Sequence, residues 1–146
     1  MKKQSQNNVL IIAVSFLLLS LFSLPAFAED TLSDNDKSIL AKAGVPVYSG
    51  LQFINGSFNG TLGVRFACSD DVEKVREYYR SKLPGWALND QYGSWILYNG
   101  KPGDGPGDYM AKNQVMVSKN ENLQSWFGTP ADMTTEVVIA LPEETE

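Results

Sequence analysis

The chain of 146 residues carries 17 acidic and 12 basic side chains, no histidine and one cysteine. The absence of histidine excludes Ser–His and Cys–His nucleophilic catalysis and His-ligated zinc sites, and a single cysteine excludes an intramolecular disulfide. The net charge of −5 argues against nucleic acid and anionic membranes as partners.

Residues 1–28 have the pattern of a secretory signal peptide. Two lysines precede the uncharged residues 9–24, and the sequence Ala-Phe-Ala, which ends at Ala28, supplies the small residues of a cleavage site. The uncharged run has 16 residues, fewer than the roughly 20 that span a bilayer as a helix. We therefore expect cleavage after Ala28 rather than an anchor, and a periplasmic or secreted protein without stable membrane insertion.

Residues 29–146 are expected to form a single α+β domain. This segment holds all 17 acidic residues and ten of the 12 basic residues, so that its formal charge is −7. A chain of this length buries about 65% of its unfolded surface, which suits one hydrophobic core.

The first predicted elements are a short helix and a hairpin. Ser33 or Asp34 is the expected N-cap of the helix, and Gly44 ends it. Two Asn-Gly pairs in residues 55–60 predict a hairpin, because this dipeptide favours tight hairpin turns. Apolar residues alternate along the next strand as far as Cys68, which predicts a buried, inert thiol; a reactive thiol is the alternative.

Residues 71–83 predict the principal helix of the fold. Four apolar side chains fall within about 80° of arc on one side of this helix, as a core helix requires: Val72, Val75, Tyr79 and Leu83. Asp70 or Ser69 is the expected N-cap, and a Pro-Gly pair ends the helix.

Four further strands are predicted, in residues 85–90, 94–99, 114–118 and 135–141. A tight turn joins the first two, and the long segments 100–112 and 119–133 are expected to be loops. The order of elements favours an α+β fold, with an antiparallel sheet of about five to six strands, one long helix packed across a face and a short N-terminal helix.

The turn at residues 44–50 and the helix segment at residues 72–86 carry a resemblance. They are similar to small exported bacterial proteins of unassigned function with a P-x-Y-x-G turn and a V-x-x-Y-Y-x-x-x-L-P-G-W helix. The matching residues are Pro46, Tyr48, Gly50, Val75, Tyr78, Tyr79, Leu83, Pro84, Gly85, Trp86, Thr135, Val137 and Ile139. The resemblance implies a helix-grip-like fold and an export route, with structural roles for these residues, and it implies no reaction.

The candidate contact residues are aromatic. Trp126 and Phe127 are neighbours in one long loop, Tyr109 lies in the other, and Trp95 lies on a strand that is apolar on both faces. Exposed aromatic residues often supply most of the binding energy of an interface. The alternative is that one or both of Trp126 and Phe127 pack onto the end of the sheet. The strand face opposite the principal helix is either covered by residues 33–43 or exposed as a groove.

The acidic residues give no case for a metal or for catalysis. Asp104 and Asp108 lack the spacing of a calcium-binding loop, and helix capping accounts for the pair Asp70 and Asp71. We expect no cofactor, no metal and no catalytic residue. The chain is predicted to be a non-enzymatic binding module of the cell envelope, whose partner is an envelope protein or a small apolar ligand. The alternative is a small hydrolase or other enzyme that uses Asp, Glu, Lys or Tyr.

Overall fold

The computed structural model describes residues 32–58 and 61–142, except for the side chains of residues 57, 58, 61 and 92. The predicted signal peptide and its predicted cleavage site lie outside these residues. The helices are α1 (Asp34–Ala43), α2 (Val72–Lys82), α3 (Pro106–Met110) and α4 (Leu123–Phe127), and a 3-10 turn spans Gln91–Gly93. The strands are β1 (Gln52–Phe58), β2 (Thr61–Cys68), β3 (Ala87–Asn89), β4 (Ile96–Tyr98), β5 (Gln114–Lys119) and β6 (Thr135–Leu141). The predicted α+β class is confirmed.

Within the described ranges, six strands form one sheet in the order β1-β2-β6-β5-β4-β3. Every neighbouring pair is antiparallel, as predicted. The last strand of the chain, β6, lies between β2 and β5, so it pairs with strands on both sides along its length. Because paired residues share a face, the register divides the sheet into two faces with different neighbours.

Helices α1 and α2 cover one face of the sheet, which we call the helix face. α1 contacts β2 and β6, and α2 contacts β5. The structure does not show one long helix across this face; two helices of 10 and 11 residues share the layer. The helices and strands bury one continuous hydrophobic cluster, which includes Ile39, Leu40, Val64, Phe66, Cys68, Val75, Tyr79, Val115, Val117, Val137 and Ile139.

The two helix N-termini are capped by neighbouring side chains. Ser33, one of the two predicted N-caps, caps α1 and forms a reciprocal capping box with Asp36. At α2 the N-cap is Asp71, whose Oδ1 accepts a hydrogen bond from the backbone N–H of Glu73 at 2.9 Å. The predicted caps Asp70 and Ser69 are therefore wrong, and the carboxylate of Asp70 makes other contacts.

The predicted hairpin corresponds to β1 and β2, in which Phe58 pairs with Thr61; the second Asn-Gly pair lies outside the described residues. The first Asn-Gly pair lies inside β1, where the register shifts twice. A Cβ atom on Gly56 would overlap the carboxylate of Asp36 at the start of α1. Glycine is therefore needed at Gly56 for close packing of α1 on the hairpin rather than for a turn.

The opposite face of the sheet, which we call the loop face, is covered by the two long segments. Each segment contains a five-residue helix, α3 or α4, so the expectation that both are plain loops is wrong. Neither alternative for this face is correct, because α1 packs on the helix face and the loop face is not an open groove. The buried apolar residues outside the helix-face cluster are Ala67, Ala87, Ile96, Tyr98, Leu123, Val138 and Ala140.

Candidate functional site

Residues 120–134 form an Ω-loop over the loop face. The two ends of the loop meet, because the backbone N–H of Asn120 donates to the carbonyl of Thr134 at 2.8 Å. Within the loop, the N–H of Trp126 donates to the carbonyl of Asn122 at 2.9 Å in α4. Gly128 ends this helix with a φ of 67°, a left-handed conformation that glycine adopts at little cost. The loop therefore has a defined backbone structure of its own.

Side chains anchor the Ω-loop to the sheet at both of its arms. Leu123 is fully buried at the start of α4, and Phe127 is half-buried at its end. The guanidinium of Arg65, on β2, lies 5.0 Å from the centre of the Phe127 ring, within the range of a cation–π contact. At the first arm, Asn120 Nδ2 donates to Glu136 Oε2 at 2.8 Å. The sheet thus holds the loop where it begins and where α4 ends.

Trp126 points away from these anchors. Its side chain is 64% exposed, and its ring meets the neighbouring Phe127 ring edge-on, with centroids 6.4 Å apart. In the described part of the chain, one other large apolar side chain is exposed, Met110 of α3 at 62%. Both side chains belong to the short helices over the loop face, so this layer presents apolar surface to solvent.

The structure does not bring the four aromatic candidates together. Tyr109 is half-buried, and its ring centre lies 5.6 Å from that of Tyr98 on the loop face. Trp95 is buried in the helix-face cluster, on the other side of the sheet. The guanidinium groups of Arg76 and Arg80 lie 5.7 and 5.5 Å from its ring centre. Trp95 therefore cannot share a surface with Trp126.

The two acidic residues of the segment 100–112 close its backbone. Asp104 Oδ2 accepts a hydrogen bond from the N–H of Lys101 at 2.9 Å, and Asp108 Oδ2 accepts one from the N–H of Gly105 at 3.2 Å. Across the residues that the structure describes, no group of three or more His, Cys, Asp or Glu side chains is arranged to hold a metal ion. Both carboxylates thus have a local structural role.

A second polar cluster lies at the start of α2, beside a half-open depression of about 220 Å³. Asp70 accepts hydrogen bonds from Lys74 Nζ and from the Tyr48 hydroxyl, each at 2.7 Å. Both hydrogen bonds favour the charged form of the Asp70 carboxyl and lower its pKa. The hydrogen bond from Lys74 has the larger effect, and that from Tyr48 is second. Asp70 is therefore an ionised tether between the Tyr48 turn and α2. Polar side chains dominate the lining of the depression, which comprises Ser69, Asp70, Asp71, Val72, Lys119, Thr134 and Thr135.

The tether of Tyr48 to Asp70 was not found in the sequence, since the two residues are 22 positions apart. The Pro-x-Tyr-x-Gly turn marked Tyr48 as a structural residue, but no pattern named its partner. The contact of Arg65 with Phe127 was missed for the same reason. The available signal was a single charged residue on each of two mostly apolar strands, Arg65 on β2 and Glu136 on β6.

Cys68 lies in the helix-face cluster, with 1% of its surface exposed. Burial raises the pKa of its thiol, because the charged thiolate loses its hydration there. The thiol is therefore protonated at neutral pH and inaccessible to a substrate. This placement agrees with the predicted inert cysteine rather than the reactive one.

Two general results complete the description of the chain. Among residues 32–58 and 61–142, none of the helices has the length and apolar character needed to cross a membrane. Comparison of the chain with protein-family models, with curated proteins and with solved structures gives no match. The function therefore has to be inferred from the residues described above.

Proposed function

We propose that the protein is an exported, non-enzymatic binding module of the cell envelope, with Trp126 at the centre of its contact surface. The observation that carries the proposal is the 64% exposure of Trp126 on a loop that is anchored on both arms. A tryptophan fixed on a rigid backbone gives a large contact area with little loss of conformational entropy, which suits a binding residue. Export is supported by the pattern of residues 1–28.

A protein partner is favoured over a small apolar ligand. Small ligands bind in concave, mostly apolar sites, whereas Trp126 projects from the outer side of a loop. The depression beside Asp70 is concave, but Val72 is the one apolar residue among the seven that line it. Met110 on the other short helix adds exposed apolar surface to the same layer, as a protein interface would use.

The finer assignments of fold and relationship belong to the same proposal. A helix-grip-like arrangement is supported by α2, which packs against β5 on one face of the antiparallel sheet. A relationship to small exported bacterial proteins is supported by the shared turn and helix patterns around Tyr48 and Tyr79. Both assignments agree with a scaffold role for these residues, which leaves the contact surface to the loops.

The proposal is tested by capture from a periplasmic extract, with residues 29–146 immobilised. The Trp126→Ala variant is compared with wild type and with Gln124→Ala, a control at an exposed position of the same helix. A loss of about 2 kcal/mol at a central aromatic residue corresponds to about 30-fold weaker binding. We expect one or more proteins to be captured by wild type and the control, and at least tenfold less by Trp126→Ala. Equal capture by all three chains would exclude Trp126 as the contact residue.

A small hydrolase is the second candidate, favoured by Asp70, Lys74 and Tyr48 within hydrogen-bonding distance beside the depression. It is the weaker candidate, because the lowered pKa of Asp70 makes this carboxylate a poor general base near neutral pH. A panel of simple ester and amide substrates tests it. Turnover by wild type that Asp70→Asn abolishes would favour the enzyme, and no turnover would exclude it for these substrate classes.

A further inference from the structure

We infer that Arg65 and Glu136 are positioning residues, whose ion pair holds the Ω-loop in the geometry that displays Trp126. The claim that the exposed position of Trp126 serves binding rests on the proposed function. The claim that the ion pair holds the loop does not. The inference assigns a role to a largely buried pair of charges that neither the capping of the helices nor the packing of the core requires.

The pair lies on neighbouring strands in the middle of the sheet. Arg65 of β2 is opposite Val138 of β6, and Glu136 is opposite Ala67, so the two charged residues are diagonal neighbours on the loop face. Arg65 Nε and Glu136 Oε1 are 2.8 Å apart, and the two side chains are only 14% and 12% exposed. The contact is therefore a close ion pair largely shielded from water.

Each member of the pair also contacts one arm of the Ω-loop. The second carboxylate oxygen of Glu136 accepts a hydrogen bond from Asn120, the first residue of the loop. The guanidinium of Arg65 lies against the ring of Phe127, the last residue of α4. Trp126 immediately precedes Phe127, so a shift of Phe127 on Arg65 necessarily moves Trp126.

The chemistry of the pair favours a role in holding the loop over one in the stability of the whole domain. Two charges lose hydration when they are buried, and an apolar pair of similar volume often stabilises a protein as well or better. Ala67, Val138 and Ala140 show that this face accepts apolar residues beside the pair. A planar guanidinium and a carboxylate fix directions and distances that apolar side chains do not. α4 buries one residue, Leu123, which alone does not fix the rotation of the helix.

Amide hydrogen exchange tests the inference on the mature chain. The informative amides are those of Trp126 and Gly128, which donate within the Ω-loop, and those of Val75 and Leu83, which donate in α2. Arg65→Met and Glu136→Gln each remove the ion pair. Lys119→Met is the matched control, because it removes an exposed ion pair with Glu121 at the base of the same loop.

We expect the amides of Trp126 and Gly128 to exchange at least about tenfold faster in both variants, which corresponds to about 1.4 kcal/mol of local opening. The α2 amides of these variants, and all four amides of Lys119→Met, should exchange as in wild type. Unchanged loop exchange, or an equal acceleration in α2, would overturn the inference. If Arg65→Met does not fold, Glu136→Gln decides by the same criterion.

The exchange result is independent of the proposed function. If Trp126→Ala captures every partner that wild type captures while loop exchange responds as expected, the binding proposal fails and the positioning role stands. If capture depends on Trp126 but loop exchange does not respond to Arg65→Met or Glu136→Gln, the binding proposal stands and the positioning role fails.

Discussion

The two faces of the sheet are covered in different ways. On the helix face, α1 and α2 bury one continuous cluster of apolar side chains, with Val75 and Tyr79 fully enclosed. On the loop face, two five-residue helices rest on a smaller apolar set and on the Arg65–Glu136 pair. Trp126 and Met110, the exposed large apolar residues of the described chain, both belong to this second layer.

The difference shows how one small sheet can stabilise the fold through one face and hold an exposed residue in position through the other. Burial of apolar area is non-directional and strong, so the helix face can supply most of the stability without fixing any exposed group. Hydrogen bonds and aromatic contacts are directional, so the loop face can hold α4 in one orientation with few contacts. We therefore expect substitutions on the two faces to differ in how much stability they cost and in how much of the molecule they affect.

The largest expected effect is on the helix face. Val75→Asp places an unpaired carboxylate in the main cluster and should cost roughly 3 kcal/mol or more. Ser81→Ala, at an exposed position of the same helix, should stay within about 0.5 kcal/mol. Thermal melts of the two variants check the prediction. An unchanged melting temperature for Val75→Asp would mean that α2 is not packed against the sheet.

Leu123→Ala sharpens the comparison from the loop face. Leu123 is fully buried, and truncation of a buried leucine costs about 2–5 kcal/mol. We expect the low end of this range, because a loop above the void can settle more easily than a core strand. Denaturant unfolding measures the loss. A loss near the upper end of the range would mean that the loop does not settle into the void and that Leu123 is packed as tightly as a core residue.

Phe127→Ala and Trp126→Ala separate anchoring from display within one loop. Phe127 is half-buried against Arg65, so its truncation should cost about 1.5–2.5 kcal/mol, roughly half the cost for a fully buried phenylalanine. Trp126 is mostly exposed, so Trp126→Ala should stay within about 0.5 kcal/mol. Both are measured by thermal melts. A larger loss for Trp126→Ala than for Phe127→Ala would reverse their assigned roles.

The smallest expected effect is the pH dependence of the Asp70 tether. The folded-state pKa of Asp70 is lowered, so its stabilisation is present above the unfolded pKa of about 3.9 and is lost as the pH falls through the lower folded value. Asp70→Asn should therefore melt below wild type at about pH 7, with a smaller difference at about pH 3. A difference that stayed constant between these pH values would mean that Asp70 contributes no charge-dependent stability.

The sequence predicted the helix face better than the loop face. The apolar spacing of Val75 and Tyr79 marks one side of a helix, and the alternation ending at Cys68 marks one side of a strand. Such patterns depend only on local geometry. α3 and α4 have five residues each, too few for a helical period to be distinguished from the glycine and proline of a loop. The exposure of Trp126 beside a half-buried Phe127 was likewise open, since neighbouring aromatic residues carry no local signal for which one is anchored.

What the sequence by itself determined is the six strands and the two longer helices, together with the residues of these elements that turn toward the helix face. The order of the strands was decided only by tertiary structure, because pairing between distant segments depends on the packing of the whole chain. The insertion of β6 between β2 and β5 brings Glu136 beside Arg65, 71 positions away in the chain. That pairing places the two charges under the loop that carries Trp126. No local pattern specifies such a contact, because it forms only after β2, β6 and the Ω-loop, three separate segments, have come together.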